Sequence, residues 1–150
     1  MMRIEEFSLT EELPRMGALL AAHWDEIARN KQLVVLKPDA ERYRLLEQAG
    51  ALLTIGAFDE NDKMVAYSVN FIGHHLHYAD LVYAENDVLF LAPAHRKGRL
   101  GLRLIKETEQ RAKARGARMM VWHAKQDTSL ERLLPRLGYG VQDVLFSKEV

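Results

Sequence analysis

Apolar residues along the chain change their period several times, and each change marks an element. Leu13, Met16, Leu19, Leu20, Trp24 and Ile27 recur three and four apart, the period of one helix face. Thr10 is placed to cap that helix, and Pro14 falls in its first turn, where a missing amide hydrogen costs little. Residues 4–7 before it predict a short opening strand. Asp39 after Pro38 predicts the cap of a second helix through Tyr43, Leu46 and Ala49, closed by Gly50.

The pattern then turns to strands. Residues 51–58 and 64–72, joined across Asp59, Glu60, Asn61 and Asp62, read as a hairpin. A connection bearing His74, His75 and His77 follows, then an extended stretch whose last apolar run, after Asp87, suggests a strand covered on both faces until Pro93 ends it. Residues 98–115 regain the helical period through Leu100, Leu104, Ile105, Thr108 and Ala112, with Gly116 as the stop. Residues 117–123 read as a strand, a short helix runs from Asp127 or Thr128 to Leu137 before Gly138, and residues 144–150 read as a last strand. Strand, helix and strand with short joints predict a right-handed parallel crossover. The fold class expected is mixed α/β: one domain over residues 1–150, with a central mixed, mostly antiparallel sheet and flanking helices.

Composition removes several chemistries. The 150 residues include no cysteine, which excludes a disulfide framework, a thiolate metal site and a cysteine nucleophile. No run of about 18 apolar residues is available to span a bilayer, and the opening residues carry Glu5 and Glu6 in place of an apolar signal core. A soluble, cytoplasmic protein with no membrane partner is expected. The 21 basic and 21 acidic residues cancel, but unevenly. Residues 1–94 hold 8 basic and 15 acidic groups, whereas residues 95–118 hold 9 basic against 2 acidic. The basic block marks where a polyanion would bind.

That block opens on Arg96-Lys97-Gly98-Arg99-Leu100-Gly101, the joint between the covered strand and the basic helix. Glycines admit close approach to the backbone, and a helix start offers free amides with a partial positive charge, so together they can cradle an anion. A tight turn beside a solvated basic helix has the same spacing. Nucleic acid suits the helix poorly, because its basic residues lie all round it without aromatic stacking partners. His74, His75 and His77 lack a neighbouring acidic or cysteine ligand apart from the more distant Asp80, so no metal site is expected. His77 with its neighbours is left to border an acceptor pocket or to face water.

Several separated patterns together resemble the GCN5-related N-acetyltransferases, the GNAT family. Arg96 and Gly101 stand at the first and last positions of that family's Gln/Arg-x-x-Gly-x-Gly/Ala motif. The stretch from Asp87 to Pro93 is similar to the strand entering it, the stretch from Arg132 to Tyr139 to the late helix ending in Leu-Gly-Phe/Tyr, and residues 146–150 to the last strand. The resemblance implies an acetyl-CoA-dependent transfer to a primary amine, by direct attack in a ternary complex. It implies acetyl-CoA as co-substrate, with Leu89, Phe90, Leu91 and Ala92 along the pantetheine arm and Arg96, Lys97, Gly98, Arg99, Leu100, Gly101, Leu102 and Arg103 around the pyrophosphate. Arg99 replaces the motif's first glycine, with Gly98 one place early, and Asp127 stands where many members have an asparagine in the cofactor site.

For the base, the resemblance points to Glu85, at the position of the glutamate in histone-type members, with Asp87 as substitute. The oxyanion donor is expected among the backbone amides around Leu89 or Phe90. Where many members place an acidic tyrosine, this chain has Leu134; Tyr139 is the replacement acid or simply the motif's packing aromatic. Trp24 and Tyr43 are placed to line the acceptor pocket or to pack in the core. The acidic first 94 residues favour a cationic small-molecule or protein amine. A homodimer is left open, and the alternative reading is a CoA-binding regulatory module without catalysis.

Overall fold

The computed structural model describes residues 2–150. Strand β1 (Arg3–Glu6) leads through Ser8 into α1 (Leu9–Glu12), and after a 3-10 turn at Leu13–Arg15 helix α2 runs over Gly17–Ile27. Helix α3 (Ala40–Gln48) precedes β2 (Leu52–Phe58), β3 (Met64–His74) and β4 (Val82–Leu91). Helix α4 (Leu100–Ala114), strand β5 (Met119–Val121) and helix α5 (Ser129–Leu133) complete the set. The sheet order is β1-β2-β3-β4-β5, antiparallel throughout except for the parallel β4/β5 pair. The expected architecture is present, parallel crossover included.

Several boundaries differ from the sequence reading for local physical reasons. Ser8, not Thr10, caps the first helix, its hydroxyl accepting from the Glu11 amide while it donates to Glu47 at 2.6 Å. Pro14 divides that helix, so the chain tightens into a 3-10 turn before α2 restarts. Pro135 does the same to the late helix, which continues as a 3-10 turn over Leu134–Leu137 and stops at Gly138 with φ 90°. Asp39 caps α3 as expected, by accepting from the Arg42 amide at 3.0 Å. The final strand expected over residues 144–150 is absent: residues 140–150 form no helix or strand and are exposed.

Two apolar layers sandwich the sheet. Leu53, Ile55, Ala57, Ala66 and Ala84 pack against Leu100, Leu104 and Ala112 of α4 on one face. On the other, Leu52, Tyr67, Val69 and Phe90 pack against Leu9 and Met16, with Tyr43 and Leu46 of α3 alongside. Burying a large apolar side chain contributes roughly 1.5–3 kcal/mol, so these two layers supply the main drive for folding. They also fix which residues of β4 face which helices.

Candidate active site

The site begins where β4 and β5 part. Only Tyr83, Ala84 and Glu85 pair with Met119, Met120 and Val121; beyond Glu85 the parallel ladder ends and β4 runs on to Leu91 without β5 beside it. In the β3/β4 register Val69 faces Val88 while Asn70 faces Asn86, which leaves Asp87 as the extra residue of a β-bulge. A bulge reverses the alternation of a strand. Val82 and Ala84 point to the α4 face and so do Leu89 and Leu91, whereas Val88 and Phe90 point to the α1–α3 face.

The bulge is held by a buried polar cluster. Asn86, 1% exposed, donates from Nδ2 to Asn70 Oδ1 at 2.9 Å and to the Val88 carbonyl at 3.1 Å, spanning the bulge. Asn70 in turn donates to the Leu53 carbonyl at 2.9 Å. Thr108 of α4 closes the cluster, with Oγ1 2.8 Å from the Leu104 carbonyl and 3.1 Å from Ser68 Oγ. Each of these groups would cost about 1–3 kcal/mol if buried without a partner, so the cluster ties β3, β4 and α4 together at the parting point.

Backbone direction follows from the register. The Ala92 amide donates to Val65 O at 2.8 Å, so by antiparallel alternation Phe90 and Val88 turn their backbone groups to β3. Leu89 and Leu91 turn theirs into the gap left by β5. Of the two amides considered for an oxyanion, Leu89's faces the gap and Phe90's is directed to β3.

At the Leu91 end of β4 a 3-10 turn (Pro93–His95) leads into residues 96–99 and the start of α4. Gly98 sits at φ 113°, a conformation glycine adopts without strain. No side chain caps α4, which leaves its first amides free at the positive end of the helix. A Cβ on Gly101 would lie 3.4 Å from Leu91 Cδ2, which sets the helix start close against β4. Among the described residues Lys97, Arg99 and Arg103 make no ion pair, so three full charges surround these amides. A free helix start with unpaired cations fits a pyrophosphate.

Arg96 is differently engaged. Its Nε donates to Leu91 O at 2.9 Å, and its two terminal nitrogens meet both oxygens of Glu26 on α2 at 2.7 and 2.5 Å. Its guanidinium also lies 5.3 Å from the centre of the Phe90 ring. That ring stacks on His23 of α2 at 4.6 Å. His23 is buried, its Nδ1 is 2.7 Å from Tyr67 Oη, and desolvation pushes its pKa down to about 4. Much of the remaining basic excess is also compensated: Arg111 and Arg115 pair with Glu6, and Arg111 with Glu107.

On the α3 side of the gap four titratable groups meet. Glu85 Oε1 is 2.7 Å from Nε2 of His123, two residues past β5. Tyr43 Oη donates to Asp87 Oδ2 at 3.4 Å. Although Asp87 as a residue is open to solvent, partial burial of its carboxyl raises its pKa, and burial likewise raises that of Tyr43, with Asp87 adding to it. Sequence reasoning missed His123. Its signal was slight, a lone polar residue at the end of an apolar strand, and its partner lies 38 positions earlier.

Other expected site residues are placed elsewhere. His77 is in the turn between β3 and β4, at the opposite end of β4 from the gap, where its amide donates to His75 Nδ1 at 3.1 Å. Tyr139 gives its hydroxyl proton to Glu109 of α4 at 2.6 Å and meets Trp122 edge-on; burial and Glu109 raise its pKa to about 12, the wrong direction for an acid. Leu134 is buried. Asp127 adopts φ 62° at the entry to α5, its amide donating to Glu131 at 2.5 Å. Trp24 is half-buried and donates to the Val34 carbonyl at 2.6 Å, holding the segment after α2. Among the described residues no three His, Asp or Glu side chains gather as metal ligands, and no helix is long and apolar enough to cross a membrane.

A sheet that opens beside a bulged strand, with an uncapped basic helix start at one end, defines an acyl-transfer fold. The chain belongs to the acetyltransferase (GNAT) family, whose pattern matches residues 17–139, and is by family an acyltransferase. Solved structures agree in fold. An aminoglycoside acetyltransferase from an uncultured soil metagenomic sample superposes with a TM-score of 0.78 at 18% identity, over 100% of this chain and 99% of that one. The ribosomal-protein-alanine N-acetyltransferase of Brucella melitensis biovar Abortus 2308 gives 0.76 at 15% identity, with 100% and 99% covered. The glucosamine-6-phosphate N-acetyltransferase of Arabidopsis thaliana gives 0.73 at 13%, with 99% and 98% covered. No curated protein matches the chain in sequence.

Proposed function

We propose that this protein is an acetyl-CoA-dependent N-acetyltransferase that delivers the acetyl group directly to a primary amine in a ternary complex. The observation carrying this reading is the single gap that links the free α4 amides, the inward Leu89 and Leu91 backbone, and the Glu85–His123 pair. Acetyl-CoA supplies the acetyl group as a thioester. The amides of residues 99–102 with Lys97, Arg99 and Arg103 hold its diphosphate, and the backbone of Leu89 and Leu91 receives the arm. The Leu89 amide is the oxyanion donor. Arg96 acts less on phosphate than expected, since Glu26 and Leu91 already occupy its guanidinium.

An amine must lose its proton before it attacks. With Nε2–H of His123 directed at Glu85, the imidazole keeps a lone pair on Nδ1, so the pair takes that proton either at the carboxylate or at His123. Asp87 and Tyr43 flank the approach and favour a cationic acceptor. The aminoglycoside and alanine acceptors named for structural neighbours are amines of this class.

Binding of acetyl-CoA by calorimetry, followed by thiol release across an amine panel, tests the proposal for wild type, Gly101→Glu, Glu85→Gln and His123→Ala. Expected are binding lost in Gly101→Glu, and turnover reduced about 10²–10⁴-fold in Glu85→Gln with binding kept. A large loss in His123→Ala assigns the lone pair to His123, and a small one assigns it to Glu85. Buried Leu134 and the tethered Tyr139 favour a second reading, a CoA-binding module without catalysis. Tight binding with no turnover on any amine would establish it, and absence of binding rules out both.

A further inference from the structure

The proposed track of the donor arm runs from Glu85 toward Leu91, so an acceptor has to reach Glu85 from the other direction, toward Val82. There the same face of the sheet is open. Among the described residues the apolar layer under α1–α3 reaches Phe71 and Val88 and includes neither Tyr83 nor any residue of β5. Resting on the acetyltransferase reading above, we propose that this face holds a second acceptor subsite: an aromatic corner of Tyr83, His75 and Tyr78 that receives the remote ammonium of a diamine.

Strand register builds the corner. Val82 and Ala84 pack on the α4 side, so Tyr83 and Glu85 share the opposite face, two residues apart. Tyr83 pairs with Gly73 on β3, and Glu85 with Phe71. A Cβ on Gly73 would meet nothing within 4 Å, which leaves a notch in the sheet face opposite Tyr83. His75, two residues past Gly73, closes the notch, its ring 5.3 Å from that of Tyr83 and 4.7 Å from that of Tyr78. His75 Nδ1 accepts from the His77 amide, so the imidazole is neutral and presents a π face in place of a charge. Tyr83 and His75 are half-buried while Tyr78 is 65% exposed, so two walls of the corner are fixed and the third is open to an entering group.

Charge favours a cation as the occupant. Residues 64–95, which supply β3, β4 and the turn between them, contain Asp80, Glu85 and Asp87 but no Lys or Arg. Arg118, just before β5, stands with Met120 on the α4 side, beside Ala112 and Lys113. A cation within about 6 Å of an aromatic centre is attracted by the ring face, and here the nearby formal charges add to that attraction. Two residues of strand separate Tyr83 from Glu85 by about 7 Å. An extended chain spans about 1.2 Å per bond, so roughly five methylenes between two nitrogens set one at Glu85 and the other at Tyr83.

Thiol release from acetyl-CoA with diaminopentane, pentylamine and aminopentanol as acceptors tests the subsite. The kcat/KM for diaminopentane should exceed those of the other two by about tenfold, and shorter and longer diamines should fall below it. Gly73→Val fills the notch without displacing a neighbour, and Tyr83→Leu removes a ring; circular dichroism should show both folded. Each should bring the ratio of diaminopentane to pentylamine near unity by raising the diamine KM, whereas Tyr83→Phe keeps the ring and should keep the ratio. A ratio near unity in wild type, or one that survives both Gly73→Val and Tyr83→Leu, overturns the subsite while leaving an active acetyltransferase. Absence of turnover on every amine overturns the reading beneath it as well.

Discussion

Removing the Asn86 side chain tests whether the buried polar cluster, and not strand pairing alone, keeps β4 bulged. In Asn86→Ala the Val88 carbonyl loses the side chain donating to it at 3.1 Å, and Asn70 Oδ1 loses its 2.9 Å donor. Asn70 keeps only the longer contact from Ser68 Oγ at that oxygen, 3.3 Å away. The Val88 carbonyl keeps its ladder partner on β3, so both acceptors are left partly satisfied, at about 1 kcal/mol each. The vacated volume adds about 1 kcal/mol. The expected loss is therefore about 3 kcal/mol, read from urea unfolding with an unchanged m-value, or as a fall in Tm of about 6–12 °C. Thr108→Val is the control, because it removes a hydroxyl from the same cluster outside the bulge and should cost about 1 kcal/mol. If the bulge orients Leu89 and Glu85, Asn86→Ala should also reduce kcat more than Thr108→Val does at matched stability margin. A loss below about 1 kcal/mol for Asn86→Ala would refute the reasoning, since cross-strand pairing alone would then suffice.

Other expectations are simpler to state. His23 has a folded pKa of about 4, below its ordinary value, so the unfolded chain binds the extra proton between pH 4 and 6.5. Stability should fall as pH drops through that window, by at most about 3 kcal/mol, and His23→Phe should flatten the pH dependence of Tm. Glu26→Gln frees Arg96 and should raise CoA affinity while weakening the hold on α2, which calorimetry and amine KM would report in opposite directions. Gly98→Ala places a Cβ at φ 113° and should cost about 1–2 kcal/mol of stability. CoA affinity should fall with added salt, with a slope reduced in Arg99→Ala.

What the sequence disclosed depended on whether the governing interaction was local. The Asp39 cap, the Gly116 and Gly138 stops and the crossover around α4 each rest on a few neighbouring residues, and all four appear as expected. The loop after Pro93 was legible because glycine and basic residues are unusual together at a helix start. The bulge was not, since no glycine or proline marks it; Asn86 and Asp87 read as polar positions in a strand until the register with Asn70 is known. Arg96 illustrates the limit of charge counting, because its pairing with Glu26 spans 70 positions. His77 and Tyr139 were plausible by residue type, yet strand direction and the Glu109 contact take them away from Glu85. For residues 144–150 the apolar pattern predicts a strand, and the structure forms none there, because a local pattern supplies no pairing partner.

The extra residue at Asp87 gives β4 something like a reading frame. Upstream, even-numbered positions belong to the α4 layer; downstream, odd-numbered ones do. Deleting Asp87 would therefore make the strand regular and leave the two lists as they are: Asn86 and Val88 would become neighbours on opposite faces, as their partners Asn70 and Val69 already are. The two halves of the site, the proposed base on one side of the bulge and the proposed track of the arm on the other, keep their faces with or without that residue; what it sets is the local twist between them.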